Sequence, residues 1–352
     1  MIFIIVVALV VTALIFDFIN GFHDAANSIA TVVSTRVLSP LAAVAWAAFF
    51  NFIAAAPVLW GGDLRVAATM GTGIVHFESL KVQGPAWVLA FIFAALVGAI
   101  VWNLLTWWWG LPSSSSHALA GGMVGACLVA LGPSGLISSG VWKIVLFIVF
   151  SPVIGLALGS GMMVVTAWIV RRSTPARVDR WFRRLQLVSA AVFSYSHGTN
   201  DAQKVMGIIT VILYGSIWVD HADALRGHLP VPLWVVLACQ AAIALGTMFG
   251  GWRIVKTMGH SLTKLQPIGG FCAETGGGVT ILALAHAGIP VSTTHTITGA
   301  IVGVGATKGT RAVRWGVAGR IIWAWILTIP ASAIVAALVY KGTQAVLALT
   351  GH

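Results

Sequence analysis

Apolar residues run through this chain in blocks of membrane-spanning length, without the short alternation of a soluble strand. Such blocks occupy Pro40 to Trp60, Pro85 to Trp109, Val141 to Val170, Pro232 to Gly250 and Ile321 to Leu349, and about 20 mainly apolar residues are enough to span a hydrocarbon core. Several, including the 30-residue run from Val141, contain a Pro or Gly that reads as a kink or a hairpin. The pattern predicts an all-α integral membrane protein with about 10–12 membrane segments, broken helices and re-entrant hairpins included. The first block, Ile2 to Phe16, has no Lys or Arg before it and reads as a retained helix, because a cleaved signal peptide has a basic start. One helix from Ile2 to Val33 would be about 48 Å long against a core of about 30 Å. A break is therefore expected around Asn20-Gly21.

Two polar motifs interrupt these blocks, and each occurs twice. Gly21-Phe22-His23-Asp24-Ala25-Ala26-Asn27 returns as Gly198-Thr199-Asn200-Asp201-Ala202-Gln203-Lys204, an offset of 201 − 24 = 177 residues. Leu111-Pro112-Ser113-Ser114-Ser115-Ser116-His117 returns as Ile289-Pro290-Val291-Ser292-Thr293-Thr294-His295, an offset of 295 − 117 = 178. Two pairs in nearly one register mark an internal duplication. Repeated polar motifs inside hydrophobic halves point to a transporter with its site between the repeats. The halves are read as 1–170 and 187–352, joined by a basic cytoplasmic linker at 171–186.

Composition agrees, since 8% of residues are charged and 59% are apolar. The net charge of +11 is spread over short loops between spans, which is a positive-inside distribution and not a nucleic-acid footprint. Arg171 to Arg184 carries six arginines against Asp179 and is assigned to the cytoplasm as a loop. The loop Gly250 to Gln266 holds Arg253, Lys256 and Lys264 without an acid, whereas its first-half equivalent, Gly73 to Leu89, holds only Glu78 and Lys81. Ala306 to Arg320 has four basic residues where Val129 to Lys143 has one. Opposite charge at equivalent loops predicts inverted-topology repeats. Arg36 then marks a cytoplasmic turn, Asp220 to His228 a periplasmic one, and both termini are expected outside the cytoplasm of an inner-membrane protein.

Only Asp17, Asp24, Asp201 and Glu274 place acids within or beside apolar spans. A carboxylate at membrane depth is costly unless paired, coordinated or hydrated, so each is a functional candidate. Asp24 and Asp201 are the strongest because both copies carry one. Glu274 breaks the symmetry and fits either a functional group or an ion pair, and Asp17 could sit at a helix break. In the second motif Pro and hydroxyl residues precede small helical residues, as at a helix N-terminus. Free N–H groups, hydroxyls and the positive dipole end together make an anion site, and two such ends can enclose one oxyanion. The plainer reading is N-capping of two re-entrant hairpins. His117 and His295 fit hydrogen-bonded core residues, Trp107-Trp108-Trp109 an interfacial belt, and Cys127, Cys239 and Cys272 inert core positions. The loop histidines His221, His228 and His260 have no ligand spacing. No motif for an enzyme, an ATPase, a cofactor or a resident metal is present.

At these residues the chain resembles the inorganic phosphate transporter (PiT) family over essentially its whole length. The Gly-x-Asn-Asp signature stands at Asn20 to Ser28 and at His197 to Lys204, and the Pro-x-Ser-Thr-Thr-His signature in the two hydroxyl-rich motifs. The resemblance implies an inverted-repeat fold that holds inorganic phosphate and coupling cations between its halves, in homodimers for some members. It places Asp24, Asn27, Asn200 and Asp201 near the cations and Ser113, Ser114, Ser115 and Ser116 with Ser292, Thr293 and Thr294 around phosphate. His23 stands where many members have Asn, and Lys204 stands opposite Asn27, where a symmetric cation site wants an oxygen. Both departures resemble the bacterial low-affinity Pit subgroup, which is associated with proton coupling and metal–phosphate complexes. The expected activity is phosphate import by cation symport, with His23, Lys204 and Glu274 added to the coupling set. Sodium coupling, a sulfate or other oxyanion permease and a passive anion channel are the alternatives.

Overall fold

The computed structural model describes residues 2–81, 84–216 and 230–349, so Asp220 to His228, with the histidines His221 and His228, lies outside the described residues. The first half contains α1 (Ile2–Ser34), α2 (Pro40–Ile53), α3 (Ala56–Leu59), α4 (Arg65–Thr72), α5 (Phe77–Lys81), α6 (Pro85–Trp109), α7 (Ser115–Ala130) and α8 (Ser138–Val170). After it come α9 (Pro175–Ser216), α10 (Leu233–Phe249), α11 (Trp252–Lys256), α12 (Pro267–His286), α13 (Thr293–Ala306) and α14 (Trp315–Leu349). Five of these helices, and α2 with α3 taken together as Pro40–Leu59, are long and apolar enough to cross a membrane, and a seventh span is the pair Leu233–Phe249 and Trp252–Ser261, bent by 61°. With α9 and the short helices α7 and α13 the tally reaches 7 + 3 = 10 segments or half-segments. The protein is an all-helical, multi-pass membrane protein with no strand among the described residues.

Three expectations need correcting. No break occurs at Asn20-Gly21, because α1 is one helix of 33 residues. Gly21 instead allows a close crossing: a Cβ there would collide with the backbone of Ile243 on α10, and one at Gly246 with the backbone of Phe18 on α1. Small residues let membrane helices approach through their backbones. Pro152 and Pro330 lie inside the continuous helices α8 and α14, so neither marks a hairpin. The arginine-rich stretch is a loop only over 171–174, since from Pro175 onward it forms the first turns of α9. Proline suits a first turn, and arginine is a good helix former. Arg183 pairs there with Asp179 at 2.8 Å and donates to the Arg36 carbonyl at 3.0 Å, which puts the Arg36 turn and the basic end of α9 on one face.

The two halves are laced together. α7 packs between α6 and α14, and α13 packs between α12 and α8. The long helix that follows each short one therefore leaves its own half to cover the other half's short helix. Wide apolar faces of α8 and α14, including Val149, Ile169, Trp323 and Leu338, remain exposed, as lipid-facing surfaces do. The core on one side gathers Phe16, Phe91 and Tyr340, and on the other Ile29, Phe193 and Ile301. The cysteines Cys127, Cys239 and Cys272 are free and buried.

Candidate functional site

Both hydroxyl-rich motifs fold into helix starts of the same design. Ser114 caps α7 by accepting the His117 N–H at 3.2 Å, and Ser292 caps α13 by accepting the His295 N–H at 3.1 Å. In each, the cap residue is extended and the helix follows at once. First-turn N–H groups lack partners inside a helix, so these ends carry donors and positive potential into the protein interior. His117 and His295, at equivalent positions, touch with ring centroids 4.7 Å apart, and His295 stacks on Trp325 at 3.9 Å.

α1 and α9 bring the carboxylates to these ends. Along α1, Asp17, Asn20, Asp24, Asn27 and Thr31 recur at intervals of three and four residues, which places them on one helix face, and all are buried. The Asn27 amide donates to the hydroxyls of Thr294 at 2.9 Å and Thr293 at 3.3 Å. Thr294 in turn lies 3.5 Å from both Asp24 oxygens, and the Thr293 hydroxyl is 3.3 Å from Asp201 Oδ2. Lys204 Nζ donates to Asp201 Oδ1 at 2.6 Å, to the Val291 carbonyl at 3.1 Å and to the Ser116 hydroxyl. The ammonium thus ties α9 to both helix starts. His23 contacts Asp24 at 2.8 Å, Thr106 at 3.1 Å and Ser113 at 3.4 Å through its ring nitrogens. The Ser115 hydroxyl is buried without a protein partner.

Of the residues singled out from the sequence, His23, Asp24, Asn27, Asp201, Lys204, Ser113, Ser116, Thr293 and Thr294 form one connected hydrogen-bonded set. Glu274 stands apart from it, with its carboxylate accepting from Thr31 at 2.5 Å, Gln186 at 3.0 Å and Ser189 at 2.5 Å. Lys204 pairs with Asp201 and not with Glu274. The amide of Asn200 and the carboxylate of Asp17 are buried without hydrogen-bond partners. His197 was missed. Its Nε2 is 3.4 Å from Asp201 Oδ2, and one ligand atom each from Asp24, His197 and Asp201 lies within 4.8 Å of the others. Two carboxylates and an imidazole suit a cation. The signal was its place one turn before Asp201, inside a motif already noted as repeated. The partners of Glu274 come from α1 and α9, and no local pattern in the sequence marks them.

A helical membrane bundle that buries two carboxylates, an ammonium and two hydroxyl-rich helix starts has the groups that suit a small ion, as a membrane carrier does. The model of the phosphate transporter family matches residues 20–336. The chain belongs to that family; it is a transporter and not an enzyme, and phosphate is its substrate. It is 56% identical to a probable low-affinity inorganic phosphate transporter of Rhizobium meliloti, over 95% of each chain. A Bacillus subtilis protein of the same description is 42% identical over 96% of each. A solved structure described as the sodium-dependent phosphate transporter superposes with a TM-score of 0.85 at 26% identity, covering 97% of this chain and all of the other.

Proposed function

We propose that this protein imports inorganic phosphate across the inner membrane by proton symport. The observation that carries the reading is Lys204 Nζ, 2.6 Å from Asp201 and bonded to Ser116 and the Val291 carbonyl. It stands where the repeat puts Asn27 in the first half, so a fixed positive charge fills the place a second cation would take. Such a charge offsets the carboxylate and repels Na⁺, whereas buried carboxylate and ammonium groups can exchange protons. Phosphate is held by Ser113, Ser114, Ser115 and Ser116 with Ser292, Thr293 and Thr294, helped by the two helix dipoles. His23, Asp24, Asn27, Asn200, Asp201 and Lys204 serve coupling, with Glu274 acting from its own pocket one turn beyond Asn27. Repeats at 1–170 and 187–352, inverted across the membrane, put the basic end of α9 in the cytoplasm and both termini outside.

In proteoliposomes, phosphate uptake should persist without Na⁺ and collapse with a protonophore. Lys204→Asn should weaken the proton dependence more than the phosphate affinity. Strict Na⁺ dependence with no response to a pH gradient would overturn the coupling. A second reading is favoured by the Asp24, His197 and Asp201 cluster: phosphate enters as a neutral complex with a divalent metal, the metal lying on these three groups. Co-uptake of the metal in fixed ratio to phosphate, lost in His197→Ala, is its test.

A further inference from the structure

Away from the central site, one arrangement of contacts is built twice. On one face α4 lies across the turn from α12 into α13, where Arg65 Nη1 donates to the His286 carbonyl at 3.1 Å and the Thr69 hydroxyl to the Gly288 carbonyl at 2.8 Å. Elsewhere α11 and the turn after it lie across the link from α6 into α7. There Arg253 Nη1 donates to the Trp108 carbonyl at 2.6 Å, and the Thr257 hydroxyl to the Gly110 carbonyl at 2.8 Å. In both places the donors are an Arg and a Thr four residues on, and the acceptors are two residues apart. The second acceptor is each time a glycine in the left-handed region, with φ +70° at Gly288 and +67° at Gly110. Each threonine also lies near its own arginine's carbonyl, at 3.2 and 3.3 Å.

The turns are offset by 288 − 110 = 178 residues, as the motifs are, but the arms by 253 − 65 = 188. No single register of the repeat aligns them, so the duplication is one of geometry. Each clasp joins the halves: α4 of the first holds the approach to α13 of the second, and α11 of the second holds the approach to α7 of the first. They sit on opposite faces. α11 and its turn pack along the second part of α1, where Gly251 meets the Phe22 carbonyl and Gly259 the Ala30 carbonyl, toward the Arg36 turn and the basic end of α9. α12 starts beside Gln186 near that same end, through Gly270, and its 20 residues carry His286 about 30 Å away.

The clasped carbonyls lie three to eight residues before the hydroxyls at the helix starts, so fixing them fixes where Ser113 to Ser116 and Thr293 to Thr294 stand. We propose that Arg65 with Thr69, and Arg253 with Thr257, are positioning residues of transport. They form two latches, one per face, that release alternately to open the phosphate site to one side at a time. This rests on the carrier reading, since a channel has no need of alternate release. The supports differ: Arg65 is paired with exposed Asp63 at 2.8 Å, whereas Arg253 lies over the rings of Trp108 at 4.5 Å and Trp107 at 5.4 Å.

Thr199→Cys supplies the reporter, because Thr199 lines a cavity of about 260 Å³ that also borders Arg65, Gln203 and His286. The full-length protein is labelled with an impermeant maleimide in right-side-out and inside-out vesicles, so that sidedness is read and not assumed. Thr69→Val should raise the labelling rate about threefold to tenfold, the effect of one ordinary hydrogen bond on a two-state population. Thr257→Val should lower it by a similar factor, and Thr69→Ser, which keeps the hydroxyl, should restore the original rate. Arg65→Gln and Arg253→Gln give the same opposed pair if a valine variant does not fold. In each, the maximal uptake rate should change more than the phosphate KM. Shifts in the same direction, or no shift in either variant, would overturn the proposal. Loss of concentrative uptake in the unmodified protein would instead refute the carrier reading beneath it.

Discussion

Gly21→Ala adds one methyl group at the tightest part of the α1–α10 crossing. The added Cβ would meet backbone atoms of Ile243, with its carbonyl carbon at 2.8 Å and its Cα at 2.9 Å. Ordinary carbon contacts lie near 3.5–4.0 Å, so the helices must separate by roughly 1 Å. No flexible side chain can move aside, and overpacking of this kind costs about 1–3 kcal/mol, against a gain of about 1 kcal/mol from replacing a helical glycine by alanine. The larger effect is on uptake. Asp24 lies three residues along the same rigid helix, and its contact with Thr294 is already 3.5 Å. Displacement of about 1 Å at a reacting or binding group can cost on the order of a hundredfold. Thermal unfolding in detergent should fall by a few degrees, and phosphate uptake in proteoliposomes by at least about tenfold. Gly161→Ala on α8 is the control, because nothing lies within 4 Å of a Cβ there, and it should be neutral or slightly stabilising. If the two alanine variants matched each other in melting temperature and in uptake, the close crossing would not be what Gly21 provides.

Arsenate should compete with phosphate, and sulfate should compete poorly, because Asp24 or Asp201 can accept a hydrogen bond from a P–OH or As–OH group that sulfate lacks at neutral pH; equal competition in an uptake assay would leave the carboxylates to cations alone. Glu274→Gln should lower the melting temperature by an amount equivalent to about 1–3 kcal/mol, since Thr31, Gln186 and Ser189 all donate to this carboxylate and a glutamine amide would turn a donor toward one of them. An unchanged melting temperature would mean that the pocket re-forms around the amide.

The apolar blocks were legible because punctuation marked their ends: the run from Pro85 to Trp109 became α6 with the same limits, held between Gly84 and Gly110. Asp24, Asp201 and the hydroxyl groups were legible because each occurs twice. Gly21 was misread, since glycine in an apolar helix signals a turn or a close approach by the same letter, and only the position of α10 decides between them. The partners of Glu274 and the two latches were invisible for a related reason. They join elements far apart in the chain, and the latches are out of register with the repeat that reveals the motifs.

The continuity of α1 also follows from the solvent. A break inside the bilayer would leave backbone N–H and C=O groups without partners, at several kcal/mol each, unless water or protein supplied them. At Asn20-Gly21 the backbone of α10 fills that space, and the long contact of the Thr247 hydroxyl with the Gly21 carbonyl at 3.4 Å could not serve all the groups a break would free. Breaks fall instead before α7 and α13, where Ser114 and Ser292 cap the first turns and side chains from both halves reach the hydroxyls of Ser116, Thr293 and Thr294. The long helices can then carry the charged groups as rigid rails while the short ones present donors at their starts. Free donors at a helix start inside the membrane are tolerable where charged groups stand close enough to meet them.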